Sequence, residues 1–141
     1  MTAVPERRAV IRPDTPTPLR DRALGAAAAL FGLATLAASS GVLFGPASAR
    51  ALAGDIVPFV VWFNFLAGFA YLAAAAGLWR ARRWGHRLAL AIALATLGAG
   101  AAFAWVALAG APVEPRTGAA LGFRFAGWAG IAALSAPGRR P

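Results

Sequence analysis

Residues 56–79 read IVPFVVWFNFLAGFAYLAAAAGLW, and this stretch, which contains no charged residue, decides the fold. The basic segment RARRWGHR follows at residues 80–87, and a second uncharged stretch, LALAIALATLGAGAAFAWVALAGAPV, follows at residues 88–113. Because an α-helix rises about 1.5 Å per residue, each stretch extends about 36 Å or more, against about 30 Å for the hydrocarbon core of a bilayer. The sequence therefore predicts an integral membrane protein of the all-α class.

Two further apolar stretches flank this pair. Residues 23–45 carry no charge and follow Asp21, which is the predicted N-cap of the first span. Residues 117–135 are rich in glycine and alanine and are interrupted by Arg124 alone among charged residues. We predict a four-transmembrane-helix bundle within residues 21–136, with spans at about residues 23–45, 56–79, 88–110 and 117–135.

The segments outside the spans are short. Residues 1–20 contain several prolines and arginines and predict a flexible cytoplasmic N-tail, and residues 137–141 predict a cytoplasmic C-tail. Residues 46–55 are predicted to form a loop, and they include an Ala-Ser-Ala sequence typical of a signal-peptidase site. Cleavage of residues 1–49 as a signal peptide is therefore an alternative. A retained span is favoured because the apolar region of a signal peptide is usually only about 7–15 residues long.

The arginines predict an orientation, since cytoplasmic loops carry the excess of basic residues. Arg50 and Arg116 lie on one side of the predicted bundle, and most other arginines lie on the opposite side, in both tails and between the second and third spans. This predicts an N-in/C-in topology. All basic residues are arginine in a chain rich in alanine and glycine, which indicates a GC-rich bacterial gene and hence a multi-pass protein of the bacterial inner membrane. Residues 80–87 are predicted to form a cytoplasmic loop between the second and third spans, and its topology determinants are Arg80, Arg82, Arg83 and Arg87.

The composition excludes several classes of function. Hydrophobic residues make up 60% and charged residues 13% of the chain, compared with about 45–50% and about 25% in soluble domains. A net charge of +9 would suggest nucleic acid as a partner, but these arginines lie beside apolar runs. We therefore predict the lipid bilayer as the partner and no nucleic acid. The chain has no cysteine and a single histidine, His86, so we predict no metal site and no cofactor.

Polar side chains inside spans are the candidate ligand-binding residues, because such groups are costly in lipid. Asn64 lies about 12 Å into the second span and Arg124 about 10 Å into the fourth, both measured from the non-cytoplasmic side. We hypothesise an outer polar layer in which Arg124 binds an anionic group and Asn64 orients it. Tyr71 shares a helix face with Asn64 and is the third candidate. The simpler interpretation places Arg124 at the outer interface or in an ion pair with Glu114, and makes Asn64 and Tyr71 interhelical hydrogen-bonding groups.

Small residues recur at a spacing of four in the last span, which places them along one helix face where another helix can approach closely. The second span contributes one more glycine on the face of Asn64. The predicted helix-packing residues are Gly118, Gly122, Ala126, Gly130 and Gly68.

Residues 58–84, with the core Trp-Phe-Asn-Phe-Leu-Ala-Gly, resemble small four-span inner-membrane proteins of bacteria to which no activity is attached. The resemblance implies the same topology. The size of the chain is also similar to that of small multidrug exporters. It departs from them because its first span has no membrane-embedded glutamate, on which their proton coupling depends.

No catalytic residues are identified, because the chain has no glycine-rich phosphate loop, no Ser/His/Asp set and no paired carboxylates within a span. We predict a non-enzymatic protein that acts as an accessory subunit of a membrane complex or as a homo-oligomer. The alternative is a small transporter or ligand-binding protein that uses the Asn64/Arg124 layer. A third hypothesis, quinone handling, rests on aromatic residues of the second span, namely Trp62, Phe63, Phe65 and Phe69.

Overall fold

The computed structural model describes residues 18–137, and this part of the chain folds into helices without a strand. Three of these helices are long and apolar enough to cross a membrane, which confirms a helical membrane protein. The predicted tails lie outside the described residues apart from residues 18–20 and 137. The helices are α1 (Leu19–Phe44), α2 (Ala47–Ala53), α3 (Pro58–Trp79), α4 (Arg83–Leu108) and α5 (Pro115–Leu134).

The first helix begins earlier than predicted. Pro18 occupies the N-cap position, and its carbonyl oxygen accepts hydrogen bonds from the backbone N–H groups of Asp21 (3.0 Å) and Arg22 (3.2 Å). Asp21 lies in the first turn and makes no capping hydrogen bond, so the prediction that Asp21 is the N-cap is wrong. The physical reason is that proline already has the φ of a helix start, which lets the helix form directly after it.

The two segments predicted as loops are partly helical. Within residues 46–55, α2 forms between Pro46 at its N-cap and Gly54 at its C-cap, where φ is +72°. The segment 80–87 is not a loop either, because α4 already begins at Arg83. The chain reverses at Ala81, where φ is +51°, and the N–H of Arg82 donates to the carbonyl of Gly77 (2.9 Å). We call residues 80–83 the arginine turn.

The long helices pack in chain order, α1 against α3, α3 against α4, and α4 against α5. Among the described residues the backbones of α1 and α5 do not approach one another comparably, and the rings of Phe31 and Phe123 bridge them at 6.1 Å. The bundle therefore has three packed sides and one open side, between α1 and α5.

The ends of the helices group at two ends of the bundle. The start of α1, the arginine turn and the end of α5 line one shared pocket. At the other end the N–H of Glu114 donates to the carbonyl of Asp55 (3.1 Å), which joins the start of α5 to the start of α3. The helix α5 consequently runs the length of the bundle, antiparallel to α4.

The core is built from small residues around three rings. Tyr71 and Trp128 are fully buried with ring centroids 4.6 Å apart, and Phe31 stacks on Tyr71 at 5.6 Å. Buried alanines on four helices fill the space around these rings and allow the helices to approach closely. The buried alanines are Ala28, Ala74, Ala75, Ala89, Ala93 and Ala132.

Glycines mark the closest helix crossings. A Cβ added to Gly85 of α4 would lie 2.5 Å from the carbonyl carbon of Gly77 in α3, so these two backbones touch directly. A Cβ on Gly68 would lie 2.6 Å from Cγ of Leu36, which places Gly68 in the α1–α3 contact.

Unlike Gly68, most of the small residues along α5 (the α5 strip) do not contact another helix. Gly118 faces Phe103 of α4, with 3.2 Å between an added Cβ and the ring. A Cβ on Gly122 or Gly130 would meet no described atom within 4 Å, and Ala126 is exposed. Within the described part of the chain, only the first residue of the strip is therefore at a helix contact, and the rest faces outward.

Candidate functional site

The open side of the bundle contains a crevice at the end opposite the arginine turn. It consists of two adjoining cavities, of about 150 Å³ and about 290 Å³, which share Ala53, Asn64, Thr117 and Arg124 as lining residues. The deeper cavity lies between α1, α3 and α5, and the outer one opens beside α2 and Glu114. The lining thus combines residues from four helices that are distant in the sequence.

The structure brings Asn64 and Arg124 together on this lining, as their similar depths in the two spans suggest. Two hydroxyl side chains of α1, Thr35 and Ser39, also line the deeper cavity. The hydroxyl of Ser39 donates to the carbonyl of Thr35 (2.6 Å), which leaves its lone pairs available as acceptors. The sequence analysis did not identify these two residues. Their spacing of four in an otherwise apolar span was the available signal.

Two polar atoms of the crevice are unsatisfied. Nε of Arg124 and Oδ1 of Asn64 are buried and have no hydrogen-bond partner among residues 18–137. Leaving a buried donor or acceptor unpaired costs about 1–3 kcal/mol, and more for a charged group. The unpaired N–H of the Arg124 guanidinium suits an anionic group of a ligand, and the unpaired amide oxygen of Asn64 suits a hydrogen-bond donor.

The positive charge of Arg124 is not neutralised by the nearest acidic residue of the crevice. Glu114 forms its ion pair with Arg116 instead, with 2.9 Å between Oε1 and Nε, so the interpretation that Arg124 pairs with Glu114 is wrong. The hydrogen bond from Arg116 lowers the pKa of Glu114 below its ordinary value. Glu114 is therefore a carboxylate at neutral pH whose charge is already matched at the mouth.

Tyr71, the third candidate residue, lies outside the crevice lining. It is fully buried in the core between Phe31 and Trp128. Its hydroxyl oxygen and Nε1 of Trp128 have no hydrogen-bond partner in the described structure. Tyr71 therefore acts in packing α3 against α1 and α5, one layer deeper than the candidate site.

The aromatic residues of α3 do not line the crevice. The rings of Trp62, Phe65 and Phe69 contact one another edge to face at 5.3 to 6.0 Å, and Phe44 of α1 joins them. Trp62, Phe69 and Phe44 are exposed on the outer surface of the bundle, which is a lipid-facing position in a membrane protein. Among residues 18–137 there is no group of three or more His, Cys, Asp or Glu side chains that would hold a metal ion.

Comparison of the chain with protein-family models, with curated proteins and with solved structures finds no match. The class of protein therefore follows from the structure itself, as a helical membrane protein whose bundle is open on one side. The open side contains a cationic, partly apolar crevice.

Proposed function

We propose that this protein is a four-span, N-in/C-in protein of the bacterial inner membrane that binds a small organic anion in the crevice at Arg124. The fourth span is α5, whose 20 residues extend about 30 Å at the rise of an α-helix. Arg124 is the only charged residue between positions 117 and 134. Because α5 runs from one end of the bundle to the other, its crossing accounts for the start of α1 and the end of α5 both lying at the arginine turn.

The observation that carries the binding proposal is the guanidinium of Arg124, whose buried Nε has no hydrogen-bond partner among the described residues, in a crevice with apolar walls. Val42, Val57, Val60 and Val61 line the deeper cavity opposite the polar groups. Drug-sized ligands occupy cavities of about 300–1,000 Å³, and the deeper cavity, at about 150 Å³, admits only a smaller group. We therefore infer that the ligand is a carboxylate with a short apolar body. Binding rather than catalysis is proposed because the crevice lining offers no nucleophile activated by a neighbouring base.

The proposal is tested with acetate, benzoate and octanoate, each compared with its neutral amide, by thermal unfolding of the detergent-purified protein. We expect at least one carboxylate to stabilise the protein and its amide to do so much less. Arg124→Leu should weaken carboxylate binding by about tenfold or more, because a charge-assisted hydrogen bond in a crevice of low polarity is lost. Arg124→Lys should retain part of the binding because the charge remains.

The matched control is Arg50→Leu, which removes an exposed arginine of α2 at the same end of the bundle that lines neither cavity. We expect this variant to bind within about twofold of the wild type because solvent screens an exposed charge strongly. The proposal would be wrong if none of the carboxylates binds, if amides bind as well as carboxylates, or if Arg50→Leu and Arg124→Leu have the same effect.

A second candidate function is association, either with a larger membrane complex as an accessory subunit or with further copies of this chain. The specific observation is the outward-facing part of the α5 strip, where Gly122, Ala126 and Gly130 leave room for another helix. Small residues allow helix backbones to approach closely in lipid, where van der Waals packing drives association.

Ala126→Leu tests the association face. If the strip mediates assembly, native mass measurement in mild detergent should show a complex for the wild type and a smaller species for this variant, because leucine fills the space that a partner helix needs. Ala73→Leu, at an exposed alanine of α3, is the control and should leave the mass unchanged. A wild-type monomer without a partner chain would refute this candidate and leave the crevice proposal standing.

A further inference from the structure

A second pocket lies at the arginine-turn end of the bundle, far from the crevice. It has a volume of about 190 Å³ and is lined by the ends of all four long helices. Its polar lining residues are Arg20, Asp21, Arg82, Arg83, His86 and Ser135. These residues come from the first turn of α1, from the arginine turn and the start of α4, and from the end of α5.

The fold of the arginine turn places Arg82 and Arg83 on this pocket. The reversal at Ala81 ends α3, and Arg82 becomes the N-cap of α4 with Arg83 as its first residue. No side chain caps the start of α4. The first N–H groups of a helix have no intrahelical partner and carry a partial positive charge, which adds to the charge of the two guanidinium groups.

Among the described residues that line the pocket, one carboxylate opposes this charge. Asp21 is almost fully buried, and its Oδ1 lies 3.7 Å from Nε of Arg20. On the far wall, Nδ1 of His86 lies 3.2 Å from the hydroxyl oxygen of Ser135, and this contact joins α4 to the end of α5. With three arginines against one aspartate, the lining is positive overall.

We propose that this pocket binds the phosphate group of a phospholipid from the leaflet that surrounds the arginine turn. Guanidinium groups bind phosphate oxygens in a bidentate manner, and basic pockets between transmembrane helices bind lipid headgroups. Trp79 and Trp84, each about half exposed, flank the turn as tryptophans do at the level of the headgroups.

The test titrates phosphatidylglycerol into the detergent-purified full chain and counts bound lipid by native mass spectrometry. Arg82→Gln and Arg83→Gln should each weaken binding by about tenfold, because each removes a charge-assisted hydrogen bond. Arg80→Gln and Arg87→Gln are the controls. Each removes one positive charge at the same end of the bundle, from an arginine that does not line the pocket. We expect these two controls to bind within about twofold of the wild type.

A variant that binds lipid more tightly than the wild type cannot be explained by a folding defect. Asp21→Asn should tighten lipid binding because it removes the only carboxylate among the lining residues within positions 18–137. Diacylglycerol with the same acyl chains, which lacks the phosphate, should not bind detectably. The proposal is overturned if the four arginine variants lose binding equally, if diacylglycerol binds as well as phosphatidylglycerol, or if Asp21→Asn weakens binding.

Titration with inorganic phosphate distinguishes a pocket for a lipid phosphate group from a pocket for free phosphate. Titrated alone or against bound phosphatidylglycerol, it should bind weakly and displace lipid only at millimolar concentrations, because it lacks the acyl chains that hold a lipid beside the bundle. Displacement at micromolar concentrations would show that the pocket takes a free phosphate instead and would overturn the assignment to lipid.

Discussion

Replacing Gly85 by alanine will lower the thermal stability of the purified protein, whereas the same replacement at Gly98, in the same helix, will not. A Cβ at position 85 would lie 2.5 Å from the backbone of Gly77 and 2.6 Å from the amide nitrogen of Leu78. Backbone atoms cannot rotate away as a side chain can, so α3 and α4 must separate. Overpacking of this kind costs about 1–3 kcal/mol.

Gly98 is the matched control because a Cβ there would meet no described atom within 4 Å. Alanine is favoured over glycine inside a helix by about 0.5–1 kcal/mol, so Gly98→Ala should leave the unfolding temperature unchanged or raise it. The measurement is thermal unfolding in detergent followed by circular dichroism. Equal unfolding temperatures for the two variants would show that the helices do not cross at the Gly77–Gly85 contact.

The Gly85 variant also links the packing to the proposed lipid pocket. Gly85 lies two residues after Arg83, at the start of α4. Separation of α3 and α4 at this point therefore displaces the arginine turn, and we expect Gly85→Ala to weaken binding of phosphatidylglycerol. Carboxylate binding at Arg124, at the opposite end of the bundle, should remain unchanged. This difference would show that the two sites are independent.

Single-cysteine labelling will show alternating exposure along the chain if all four long helices cross the membrane. The natural sequence has no cysteine, so each variant carries one reactive thiol. In spheroplasts, an impermeant maleimide should label Ala51→Cys and Ala111→Cys. It should label Ala81→Cys and Pro137→Cys only after the membrane is permeabilised. The expected difference is nearly all-or-none because a charged reagent does not cross the hydrocarbon core.

Each labelling outcome identifies one crossing. If α5 did not span, Ala111→Cys and Pro137→Cys would be labelled from the same side, and the proposed fourth span would be wrong. If the arginine turn were outside, Ala81→Cys would react in intact spheroplasts, and the N-in/C-in orientation would be inverted. Labelling of all four positions in intact spheroplasts would contradict the proposed alternation itself.

The candidate site was predictable in part. The depth of Asn64 and of Arg124 follows from their positions along two apolar stretches, because helix rise converts residue number into distance. The spacing of Thr35 and Ser39 indicates only that they share one face of α1, because a hydroxyl in an apolar span usually bonds to its own helix backbone, as that of Ser39 does. Whether such a hydroxyl also faces a cavity depends on the rotation of α1 about its axis relative to α3.

The boundaries of the helices were also predictable only in part. The apolar stretches locate α1, α3 and α4 correctly, but the starts of α1 and α4 and the helix α2 were missed. Helices extend beyond the apolar stretch into arginine-rich segments because long basic side chains remain solvated while the backbone stays helical. Charge therefore marks where a span leaves the hydrocarbon, and it does not mark where the helix ends.

The sequence by itself determined that this is a helical membrane protein, because only helices satisfy every backbone polar group within long uncharged stretches in lipid. The tertiary structure decided which faces of those helices meet. It buried Tyr71 against Trp128, left Gly122 and Gly130 facing outward, and left the α1–α5 side open at Arg124. In lipid, apolar residues are equally suited to the core and to the surface, so the rotation of each helix is set by packing, which hydropathy does not encode.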